Sequence, residues 1–156
     1  MLAAATLLAI LLLIAAGWDI HSREIPNWLN LVIALTAPLA WWAQGYTFYP
    51  DIAWQIGTAT AVFGAFVGLF FLGGIGGGDV KMIGALALWI DFRLILPLLM
   101  VMALAGGIIA AAMLIREKFR KSEAKPEVPY GAAIAIAGFW AIHQQFINHL
   151  PTIPSS

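Results

Sequence analysis

Two aspartates stand apart from the other acids of this chain. Asp19 ends the apolar run "LAAATLLAILLLIAAGW" and opens "DIHSREIPN", while Asp79 closes the glycine-rich stretch "GIGGG" and continues as "VKM". Each therefore lies at the edge of a strongly apolar segment, where an ionisable group is costly and usually functional. Two carboxylates that share a site cannot both ionise easily, so they hold one proton between them and titrate as a unit. The ionised member can then take a proton from water while the protonated one donates to a carbonyl, which is the chemistry of peptide hydrolysis. Helix capping is the competing explanation: Asp79 suits the start of a helix and Asp19 the end of one. Residue types alone leave both explanations standing.

Other chemistry is poorly supplied. Serine occurs only at Ser22, Ser122, Ser155 and Ser156, in expected loops or the tail, with no recognisable base–nucleophile arrangement. His21, His143 and His149 have no metal-ligand spacing, and the chain has no cysteine, which removes thiol catalysis and Cys-ligated metals. No cofactor or metal is required. Asp51, Glu117, Glu123 and Glu127 are expected in solvated loops, Asp91 at an interface, and Glu24 beside Arg23 or near a helix start.

The elements that must position the pair follow from composition. Of 156 residues, 62% are hydrophobic and 10% charged, against roughly a quarter charged in a soluble domain. Apolar runs near 20 residues, about the length that crosses a bilayer, recur along the chain. The expected fold is an all-α integral membrane protein in a single domain, residues 1–156. It has about six transmembrane helices, near 2–18, 27–43, 53–73, 80–90, 94–115 and 129–147. No basic segment precedes the first run, so it is expected to be a retained helix and not a cleaved signal. Gly64 and Gly68 on the third helix form a small-xxx-small pair suited to close helix approach, or are simply tolerated there.

Charge gives the orientation. With the N-terminus outside, Arg23, Lys81, Arg116, Lys118, Arg120, Lys121 and Lys125 all fall inside and only Arg93 outside. Both termini then lie outside, and Asp19 and Asp79 share the cytoplasmic side. The fourth helix is short: Val80 to Ile90 reaches about 16 Å against a core of about 30 Å. The glycine break before it is therefore expected to dip into the membrane within a hydrated cleft lined by protein.

With those residues in view, the sequence resembles the type IV prepilin peptidases, membrane aspartic proteases with a G-x-G-D motif. Here the motif is Gly76-Gly77-Gly78-Asp79, followed by "VKM". The second aspartate context is "DIHSREIPNWLN", residues 19–30, and "VPYGAAIAIAG", residues 128–138, resembles the opening of the family's last helix. The match is nearest to the small members associated with tight-adherence (Flp-type) pili. Trp18-Asp19 differs from the Y-D context of presenilin and signal peptide peptidase.

The resemblance implies Asp19 and Asp79 as the catalytic pair. It implies at most positioning roles for Gly76, Gly77, Gly78, Lys81, Pro26 and Asn27. Its implied substrate is a type IV-like pilin precursor, with a short basic leader before an apolar helix, cut at the cytoplasmic face of the inner membrane. Membrane lipid is the other expected contact, nucleic acid is not expected, and the oligomeric state is open. Larger members also methylate the new N-terminus and carry a cytosolic segment with paired cysteines; this chain has no cysteine, which puts methyl transfer in doubt without excluding it. Two other classes use the same acids differently: a proton-coupled carrier, and a membrane assembly subunit in which they are structural.

Overall fold

The computed structural model describes residues 2–120 and 129–147. The expected loop residues Lys121, Glu123, Lys125 and Glu127, with His149 of the tail, lie outside the described residues. Six α-helices account for the fold, with no strand among the described residues: α1 (Leu2–Ser22), α2 (Asn27–Ala43), α3 (Ala53–Phe71), α4 (Gly77–Ala87), α5 (Phe92–Arg120) and α6 (Tyr130–Ile142). A wide turn at Phe48–Ile52 leads into α3, and α6 continues through His143–Ile147. Three stretches are long and apolar enough to cross a membrane: Leu2–Ser22, Phe48–Phe71 and Phe92–Arg116. Helices α2 (17 residues), α4 (11) and α6 (13) fall below that length, although α2 has the bounds expected of it and α6 with its continuation ends at the expected Ile147.

The shortest helix is the centre of the molecule. Helix α4 packs against α2, α3 and α6, while α6 also packs against α1 and α5. Val80 and the run from Met82 to Ala87 are buried, so α4 is apolar on nearly every side because protein surrounds it. Small residues permit the contact. A Cβ at Gly84 would lie 2.7 Å from the Phe63 ring, and one at Gly138 would lie 2.5 Å from the Leu12 side chain.

A helix of 11 residues, roughly 16 Å, leaves backbone carbonyls stranded in the interior. Side chains from three neighbours meet them. Gln55 Nε2 of α3 donates to the carbonyls of Ala87 and Ile90, and Trp41 Nε1 of α2 to that of Leu88. Gln145 Nε2 donates to the carbonyl of Trp89, and Gln145 Oε1 accepts the Asp91 amide. Asp91 then starts α5: its Oδ1 accepts the Arg93 amide at 2.8 Å, and its Oδ2 accepts the Tyr46 hydroxyl at 3.2 Å.

Several expected boundaries and contacts are corrected. Gly77, Gly78 and Asp79 are helical, so the glycine break is confined to residues 72–76 and Asp79 lies in the first turn of α4. Gly76, not Asp79, occupies the N-cap. Asp19 lies within the last turn of α1, which runs on to Ser22, because the apolar run carries the helix past its charged end. Arg116 and the four residues after it are helical instead of loop. No neighbour lies within 4 Å of a Cβ placed at Gly64 or Gly68, so this pair supports no close approach among the described residues.

Replacing Gln55 by Leu should destabilise the fold by about 1–3 kcal/mol, because the carbonyls it serves would stay buried without that partner. The check is the thermal unfolding midpoint in detergent. An unchanged midpoint would show that this end of α4 does not depend on Gln55.

Candidate active site

Helix α1 presents Asp19 from its last turn, with only 5% of the residue exposed. A turn follows at Arg23, whose φ of 58° is left-handed and whose amide donates to the Asp19 carbonyl at 2.9 Å. Across from it, the first turn of α6 arrives end-on. The Ala132 amide donates to Asp19 Oδ2 at 3.2 Å, and the Gly131 amide also donates to the carboxylate. These are N-terminal amides with no intrahelical acceptor, and the helix dipole adds partial positive charge there. Gly131 makes the approach possible, since a Cβ at that position would lie 2.8 Å from the carboxyl carbon.

Helix α4 presents Asp79 from its own first turn. The carboxylate turns back to accept the Gly76 amide, the reciprocal half of a capping box. The three motif glycines each have a close internal neighbour. A Cβ at Gly76 would lie 3.0 Å from Asp79 Oδ2, one at Gly77 3.4 Å from the Phe70 ring, and one at Gly78 3.4 Å from the Ile25 amide nitrogen. Among the residues of the break, Gly73 alone has left-handed φ, at 74°.

The two carboxylates lie close enough to act on each other electrostatically, and Arg23 acts on Asp19. Both border two adjoining cavities. One, of about 310 Å³, extends toward α2 and takes in Arg23, Glu24, Asn27 and the three motif glycines. The other, of about 480 Å³, extends toward α6 and takes in Gly73, Gly74 and Tyr130. The pair thus stands between two polar, solvent-accessible lobes. That arrangement can position a water and an extended peptide.

Pro26 and Asn27 begin α2: Pro26 occupies the N-cap, and its carbonyl accepts the Leu29 and Asn30 amides. Lys81 reaches across from α4 and donates to Asn27 Oδ1 at 2.7 Å. Ser22 Oγ donates to the Trp18 carbonyl at 2.8 Å, so this hydroxyl serves the end of α1. Sequence reasoning missed Asn30, whose Nδ2 donates to the Gly78 carbonyl at 3.3 Å, and it missed Gly131 and Ala132.

Residues 6–111 match the model of the type IV leader peptidase family. The chain belongs to that family. The matched stretch contains both aspartates and the whole glycine motif. Curated proteins similar to this chain carry the name prepilin leader peptidase/N-methyltransferase. One from Xanthomonas campestris pv. campestris is 27% identical over 148 residues, covering 88% of this chain and 48% of that protein. One from Aeromonas hydrophila is 24% identical over 159 residues, covering 86% and 53%. One from Bacillus subtilis is 27% identical over 137 residues, covering 83% and 52%. The chain spans about half the length of these relatives. No solved structure gives a significant match. Gly131 and Ala132 fall beyond the stretch that the family model covers.

Asn30→Leu should loosen the first turn of α4 by removing the donor to the Gly78 carbonyl. Amide hydrogen exchange across residues 77–82 is expected to quicken about 3- to 10-fold, the ratio for one lost hydrogen bond. Unchanged exchange would mean that this turn is held by packing alone.

Proposed function

We propose that this chain is an aspartic-type endopeptidase that removes the short basic leader from type IV or Flp-type pilin precursors. Asp19 and Asp79 activate the water. The observation that carries this reading is the shared polar cleft: two carboxylates from helices remote in sequence, each held by amides at the start of a helix, border the same open space.

One proton between the carboxylates supplies both roles. The unprotonated oxygen accepts a proton from water as its oxygen attacks the scissile carbonyl, and the protonated carboxyl donates to the carbonyl oxygen as it gains charge. The tetrahedral species then expels the amine, which takes the proton that the first carboxylate drew from water, while the other carboxylate takes back a hydroxyl proton, and the pair returns to its starting state. The amides of Gly131 and Ala132 hold Asp19 in register during these transfers. The Gly76 amide does the same for Asp79. Asn27 lines the cleft, Lys81 fixes it by its hydrogen bond and Pro26 starts its helix, so the three act as positioning residues.

The proposed topology has six membrane crossings, both termini outside, and the cleft at the cytoplasmic face of the inner membrane. Arg23 and Lys81 stand beside the cleft, whereas Arg93 stands with Asp91 and Tyr46 beyond the opposite end of α4. That separation supports the charge-derived orientation. A basic leader would stay on the cytoplasmic side, where Glu24 and the two aspartates line the cleft. Cutting there also gives the reaction water.

Asp19→Asn and Asp79→Asn should each lower cleavage of a co-expressed pilin precursor by roughly 10²–10⁴-fold, with normal membrane insertion, read as retention of the larger precursor on a gel. Normal cleavage by either variant would eliminate the pair as the catalyst. Gly131→Ala should also slow cleavage, by about tenfold or more, since its Cβ displaces Asp19 or the end of α6. Unaltered cleavage would show that the α6 contact is not needed.

A further inference from the structure

A second concavity, of about 390 Å³, lies away from the aspartates, in the size range of about 300–1,000 Å³ typical of ligand sites. Helices α2 and α3 form its walls and α4 its floor. Leu31 and Ala34 line one wall, Ala59 and Phe63 the other, and Gly84 and Ala85 the base. Leu31 is 58% exposed and Phe63 42%, so the groove opens sideways out of the molecule. Along α4 it runs from Lys81 to Leu88, about 10 Å.

Apart from Thr60 on its rim, the groove is apolar except where it nears the cleft. Asn30 lies there, 5% exposed, with its Nδ2 committed to the Gly78 carbonyl and its Oδ1 without a hydrogen-bond partner among the described residues. Lys81 lines the same end, and its bond to Asn27 separates the groove from the lobe that holds both aspartates. The groove is thus an apolar channel with one buried, unsatisfied acceptor beside the end facing the cleft.

We infer that this groove holds the apolar helix of the pilin-precursor substrate, with the first turn of that helix at Asn30 and its N-terminal flank passing Lys81 and Asn27 to the aspartates. The inference rests on the peptidase reading, which supplies a substrate with an apolar helix after the cut. A helix has unpaired amide donors only in its first turn, so an entering helix N-terminus supplies what Asn30 Oδ1 lacks once that side chain, buried in this structure, turns toward the groove. A lipid chain has no such donor, and the middle of a spanning helix from a second copy has none to spare.

The chain contains no cysteine, which makes proximity directly measurable. Thr60, on the exposed rim of the groove, would be replaced by cysteine in the Asp79→Asn background. The probe is a co-expressed pilin precursor with a single cysteine near the start of its apolar segment. A short thiol cross-linker should join enzyme to precursor at least about tenfold more efficiently at Thr60→Cys than at Leu104→Cys, on the exposed face of α5. Equal yields at both positions, no yield at Thr60→Cys, or links only between two enzyme copies would each overturn the inference. Cleavage by the unsubstituted chain is read separately. Selective cross-linking without cleavage would support the groove assignment and count against the peptidase reading alone.

Discussion

The interior position of α4 imposes the constraint from which the other features follow. A helix of 11 residues surrounded by protein cannot deliver both its ends to water, so its unpaired amides and carbonyls must be met from within. At the carbonyl end, Gln55, Trp41 and Gln145 meet them, and each is drawn from a different neighbouring element. At the amide end, a glycine turn and Asp79 close the helix. The same need that shapes a structural plug at one end produces a polar cleft at the other.

The cleft uses helix ends as electrostatic parts. Asp79 meets the amide at the start of its own helix, and Asp19 meets amides at the start of α6. Fixed backbone dipoles hold both side chains, and Arg23 also acts on Asp19. Glycine is needed because the backbones come close. Gly131 lets α6 reach Asp19, Gly76 leaves room for the Asp79 carboxylate, and Gly78 lets α4 pass the Ile25 backbone. The motif glycines therefore have internal reasons to be small, whatever approaches from outside.

Much of the frame was readable from the chain. Apolar runs marked six helices, Pro26-Asn27 marked the start of α2, and the adjacency of Asp79 to a glycine break marked a cleft. Charge placement put Asp19 and Asp79 on one side, and both border the same cavities. Other features depended on long-range packing that local pattern does not carry. Asn30 looks like an ordinary polar residue near a helix start, and its role exists only because Gly78 of a distant helix passes it. Gly131 sits in "VPYG", which signals a helix start, but nothing local says which acid that start would face. The reach of α1 to Ser22 and of α5 to Arg120 was missed because charge was read as a helix end, whereas both helices continue through it.

The central claim is that Asp19 and Asp79 form one unit across the cleft, and a proximity measurement in the cysteine-free chain tests it without a substrate. Both aspartates would be replaced by cysteine in a single protein, purified in detergent and treated with a short bifunctional thiol reagent. The account predicts efficient bridging within one chain, seen by mass spectrometry as loss of both free thiols to a single reagent molecule. Two separate single-ended adducts, with no bridge formed, would contradict it.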